Sequence, residues 1–119
     1  MDKFTQAYLE CALWATCDNS TPSGGVPLDE NYDISDITQE ALKQAEQDCK
    51  DFQEANAAYL ALAGNDEQNG HDFFLTRCGH GAGYWDRGYD SEVAKRLTAA
   101  CNAYGEVNFY PGDDGKIYC

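Results

Sequence analysis

Residues 71–89 read His-Asp-Phe-Phe-Leu-Thr-Arg-Cys-Gly-His-Gly-Ala-Gly-Tyr-Trp-Asp-Arg-Gly-Tyr and hold both histidines, two of the three arginines, five aromatic residues and four glycines. Packing alone rarely calls for that mixture, and three kinds of chemistry suit it. For acid–base work, His71 or His80 offers an imidazole, the side chain whose ordinary titration lies near physiological pH. Asp72 or Asp86 could orient it, and Arg77 or Arg87 could stabilise developing negative charge. For anion binding, the glycines let a ligand approach backbone N–H groups. Arg77 and Arg87 add planar donor forks suited to phosphate, and Tyr84, Trp85 and Tyr89 give flat faces on which a base could stack. For metal binding, His71, Cys78, His80 and Cys101 would supply four ligands, but the only close spacing is Cys78-x-His80, outside the paired knuckles of zinc sites.

None of these amounts to a fingerprint. The glycine spacing departs from both Gly-x-x-x-x-Gly-Lys-Ser/Thr and Gly-x-Gly-x-x-Gly. Neither Gly-His-Gly nor Trp-Asp-Arg-Gly fixes catalytic roles by spacing, and a Cys78–His80 nucleophile pair has no identifiable orienting group. The expectation is therefore a protein without catalysis, cofactor or metal. A ligand reading remains as the alternative, with a nucleotide-type signal held by His71, Arg77, His80, Tyr84, Trp85, Asp86 and Arg87. A small His/Asp-dependent enzyme comes after it. The plainer reading makes the segment a structural clasp, with Trp85 plugging the core and an Arg–Asp pair pinning the loop.

His71-Asp72-Phe73, Leu75-Thr76-Arg77, Gly79-His80-Gly81-Ala82-Gly83 and Trp85-Asp86-Arg87-Gly88 together resemble a motif of small, mostly uncharacterised bacteriophage and prophage proteins, HDFxLTRxGHGAGxWDRG. The similarity spans residues 71 to about 118. Where such proteins usually carry asparagine after the arginine this chain has Cys78, so a role needing an amide there does not carry over. The resemblance implies a phage context, in which small acidic proteins often bind and disable a host factor, including host defence proteins as anti-CRISPR inhibitors do.

A chain of 119 residues fits one domain with a single modest core. Its 21 acidic and 8 basic residues give a formal net charge of −13, unevenly spread. Residues 1–70 carry 14 acids and 3 lysines, whereas residues 71–119 carry 7 acids and 5 bases, including all three arginines. An acid-rich field repels nucleic-acid phosphates and favours a basic protein partner. There is no secretory signal and no apolar run near the ~20 residues that cross a bilayer, so a cytoplasmic protein of the infected host cell, without membrane attachment, is expected. In a reducing compartment the six cysteines at 11, 17, 49, 78, 101 and 119 are expected as thiols, with Cys49 and Cys101 on apolar helical stripes.

The positioning elements follow from periodicity. Phe4, Ala7, Tyr8, Cys11, Trp14 and Ala15 mark one face of a first helix. Residues 18–34 are rich in turn formers and read as a long loop. A second helix is expected from Ser35 or Asp36, boxed with Gln39, through Ile37, Ala41, Ala45, Cys49, Phe52, Ala55, Tyr59 and Leu62 to a left-handed Gly64. Its other face is acidic, and Glu40, Asp51 and Glu54 are the candidate protein interface. Alternation over 72–77 reads as a strand entering the glycine loop, followed by a third helix capped by Asp90 and closed by Gly105. A hairpin turns at Pro111-Gly-Asp-Asp-Gly. The expected architecture is α+β: an acidic helical part (1–70) of two helices packed on a small antiparallel sheet of about three strands, with a third helix (71–119).

Overall fold

The computed structural model describes residues 1–18, 25–79, 83–84 and 88–119. Among these, the chain forms α1 (Lys3–Ala15), β1 (Cys17–Asp18), β2 (Val26–Pro27), two short 3-10 turns at Leu28–Glu30 and Ile34–Asp36, α2 (Gln39–Ala55), α3 (Ala57–Leu60), α4 (Asp66–Arg77), α5 (Ser91–Asn102), β3 (Tyr110–Pro111) and β4 (Ile117–Tyr118). The class is α+β. Instead of one three-stranded sheet there are two separate two-stranded antiparallel ladders, β1–β2 and β3–β4, and a lone parallel bridge joins Ile37 to Ile117.

The largest departure from expectation is residues 72–77, which are the last half of helix α4 and not a strand. Their alternation was misleading because α4 is buried on nearly every side. Asn69, Gly70, Asp72, Phe73, Phe74, Leu75, Thr76 and Arg77 are all interior, so no polar face survives to reveal the helical period. The helix begins at Asp66, just past Gly64, where the Asn65 side chain accepts a hydrogen bond from the Gln68 N–H at 2.8 Å.

The other helices follow their patterns more closely. Asp2 caps α1 through the Thr5 N–H (2.8 Å), and Phe4, Tyr8, Cys11 and Leu13 turn inward. Trp14, placed on the inward stripe by spacing, is 54% exposed. Helix α2 starts later than expected, because Thr38 is its cap. Asp36 instead completes a reciprocal box with Asp33 around the preceding 3-10 turn. The helix stops at Ala55; Asn56 interrupts it before the short α3, and Gly64 is not left-handed. Asp90 does cap α5, accepting from the Glu92 N–H, and Gly105 follows with φ +74°. The C-terminal hairpin pairs Tyr110 with Tyr118 and Pro111 with Ile117, and Glu106–Phe109 stays outside the ladder.

The core is aromatic and centred on α4. Phe73 stacks on Phe52 of α2 at 4.1 Å and lies 5.3 Å from Tyr8 and 5.2 Å from Tyr104, centroid to centroid. Cys49 and Cys101 are fully buried, as their stripes require. Where α1 meets α4 the backbones touch: a Cβ added at Gly70 would stand 2.0 Å from the Phe4 carbonyl oxygen. Gly70→Ala is therefore expected to destabilise the fold by about 2–3 kcal/mol, the cost of overpacking against backbone that cannot rotate away. In urea unfolding the midpoint should fall while the slope stays unchanged.

Candidate functional site

Arg77 is the one guanidinium of residues 71–89 among the described residues, and it points inward. It sits at the end of α4 with its side chain 6% exposed. Nη1 donates to Asp48 Oδ2 of α2 and to the Tyr8 hydroxyl of α1, both at 2.9 Å. Nε donates to the Gly105 carbonyl at 2.8 Å, and Nη2 to the Tyr104 carbonyl at 3.3 Å. Its carbon lies 5.6 Å from the Phe73 ring centre and 5.5 Å from that of Tyr104, so aromatic faces complete the enclosure. Burial opposes the charge, but Tyr8 and Asp48 hold the guanidinium above its ordinary value. A cation so committed to four internal acceptors is a structural tie and leaves no fork for a phosphate.

Tyr84 is likewise interior. Its ring is 0% exposed, its hydroxyl donates to the Asn69 carbonyl at 2.9 Å, and its N–H donates to the Thr76 hydroxyl at 3.1 Å. No base could stack on it. Tyr89, half-buried, accepts from Gln68 Nε2 at 2.8 Å. His80, Trp85, Asp86 and Arg87 lie outside the described residues. Cys78, half-buried, approaches the Val107 carbonyl at 3.6 Å, and burial pushes its thiol up, away from the thiolate a nucleophile needs. Of the four residues of the hypothetical zinc set, Cys101 is buried in the core, and no group of three or more metal-binding side chains assembles among the described residues.

His71 occupies a different place. Its Nδ1 is 3.9 Å from Asp72 Oδ1, too far for a hydrogen bond, and its ring lies 5.6 Å from that of Trp14 at 37°. The two rings line an open groove of about 670 Å³ between α1 and α4, together with Ala7, Glu10, Cys11, Asp29, Asn65, Glu67 and Gln68. Sequence periodicity missed this groove because it assigned Trp14 to the core. It also missed the partners of Arg77. Their only sequence signals were an aspartate beside the buried Cys49 position and a tyrosine within the α1 stripe.

Glu40, Asp51 and Glu54 are exposed on α2. With Gln44 and Gln47 they fall within about 80° of helical arc, opposite Ala45 and Cys49, in a stripe about 21 Å long. Gln47 Nε2 donates to Asp51 Oδ1 at 2.9 Å and so fixes the carboxylate in place. Lys43 and Lys50 lie on its flank.

No family model, no curated protein and no solved structure matches this chain. Among the described residues, no helix is long and apolar enough to cross a membrane.

Two outcomes follow from the interior chemistry. Arg77→Met strands Asp48 and two carbonyl oxygens and should cost about 3–5 kcal/mol, whereas Tyr8→Phe, which keeps the ring, should cost about 1–2 kcal/mol, both read by urea unfolding. Burial holds the Tyr8 and Tyr84 hydroxyls well above their ordinary value of 10.0 and lifts the Cys49 thiol from 9.0 to about 12. The unfolded chain then releases these protons before the folded one does. Stability is fully present below about pH 9 and falls as pH rises beyond it. The urea midpoint should decline from about pH 9 upward, and less steeply in Tyr84→Phe.

Proposed function

We propose that the protein is a phage-encoded inhibitor that acts without catalysis, binding a basic host protein, such as a defence factor, through its acidic surface. The observation that carries this reading is the contrast between the two halves of the candidate chemistry. Arg77 and Tyr84 are consumed by internal hydrogen bonds, which supports a clasp role for their segment, while Glu40, Asp51 and Glu54 project from α2 in one exposed stripe. Such a stripe raises the association rate with a positively charged partner and excludes like-charged ones. The nucleotide-sequestering alternative loses two of its seven groups to the interior.

The test is native mass spectrometry of protein purified gently from phage-challenged cells. A stoichiometric host polypeptide is expected. Its affinity should weaken at least about tenfold between 50 and 300 mM salt and be abolished in the Glu40→Lys, Asp51→Lys, Glu54→Lys variant. Release of a small nucleotide or zinc from the wild-type protein, with no polypeptide bound, would overturn the reading.

A further inference from the structure

We infer that the groove between α1 and α4 is an arginine-binding site, in which the guanidinium of a basic partner lies against Trp14 with carboxylates of Glu10, Asp29 and Glu67 around it. Trp14 is a large apolar side chain left 54% exposed, although its helix has an ample interior to bury it. Its ring is backed by the His71 imidazole, 5.6 Å away, and so presents a supported aromatic wall. Glu10, Asp29 and Glu67 line the same groove. Among the described residues, no lysine or arginine forms an ion pair with any of the three. Lys3 lines an adjoining groove of about 270 Å³ that shares Glu10 and Glu67. Glu10 is held on one side by Gln6 Nε2 at 3.1 Å, which leaves lone pairs for a second donor.

An aromatic face beside uncompensated carboxylates matches a cation that is planar and weakly hydrated. Arginine satisfies both terms, because its guanidinium stacks on the ring while its N–H groups reach the carboxylates. A lysine ammonium is compact and strongly hydrated and gains less from the ring. Tryptophan and arginine are also the residues that most often anchor protein interfaces. A second depression of about 600 Å³ shares Glu10 and Asp29 and adds Leu13, Tyr32, Asp33 and Ile34, so a chain segment carrying the arginine has a continuous acidic and apolar track to follow. The inference rests on the basic-partner reading, but it places the anchor on α1 and α4, away from the α2 stripe.

Hexa-arginine and hexalysine peptides serve as probes of equal charge, titrated into the full chain at fixed ionic strength while the Trp14 indole N–H is followed by NMR. Hexa-arginine is expected to shift that signal and to bind at least fivefold more tightly than hexalysine. Read from the backbone amide signals of Glu10 and Glu67 in each variant, Trp14→Leu should weaken it at least tenfold and Glu10→Gln at least threefold. The Glu40→Lys, Asp51→Lys, Glu54→Lys variant should leave it within about threefold. Trp14 is exposed, so an unchanged urea midpoint will certify that its variant is folded; Glu10→Gln gives a second, milder probe. Equal affinity for the two peptides, or affinity indifferent to Trp14→Leu and Glu10→Gln, would overturn the groove and leave the α2 reading standing. Absence of binding by either peptide would overturn it as well.

Discussion

The buried guanidinium of Arg77 is the constraint around which this small domain is arranged. A charge placed in an interior must find its compensation there, since the loss of hydration is otherwise prohibitive. Here compensation comes from three directions. Asp48 reaches in from α2, Tyr8 from α1, and the Gly105 and Tyr104 carbonyls from the chain leaving α5. Those last two carbonyls lie just past the end of α5, so the cation also ties the chain leaving that helix to α4. Four segments distant in sequence are brought to one point by a geometry that tolerates little displacement.

That arrangement explains why the chemistry of residues 71–89 misleads when read as a string. Arginine, tyrosine and glycine in close succession suggest a ligand cradle, yet the same types serve an interior that must satisfy polar groups without water. The distinguishing information lies in Tyr8, Asp48 and Gly105, which are 69, 29 and 28 residues away from Arg77 along the chain. No local pattern encodes such pairings.

Legibility followed exposure. Helices α1, α2 and α5 each keep a solvent face, and their periods, along with the Asp90 cap and the turn of the hairpin, were visible in the residues themselves. Helix α4 has almost no solvent face and was read as a strand. The boundary error at Asp36 arose where two local solutions compete: Asp33 and Asp36 satisfy each other's backbone in a 3-10 turn, which leaves Thr38 to begin the longer helix. Trp14 went astray for a different reason. Periodicity reports which side of a helix a residue occupies, but not whether neighbouring elements extend far enough to cover it.

The contact at Gly70 has a bearing on recognition. With the α4 backbone seated directly on the Phe4 carbonyl, no side chain acts as a cushion between the two helices there. Helices in backbone contact cannot slide or breathe without losing dense packing along the seam. Trp14 projects from α1 and His71 from α4, so the backing of the indole by the imidazole is inherited from the scaffold instead of being set when a guest arrives. The aromatic wall that meets a guanidinium is thus in place beforehand. A wall held ready in this way spends little conformational freedom on capture.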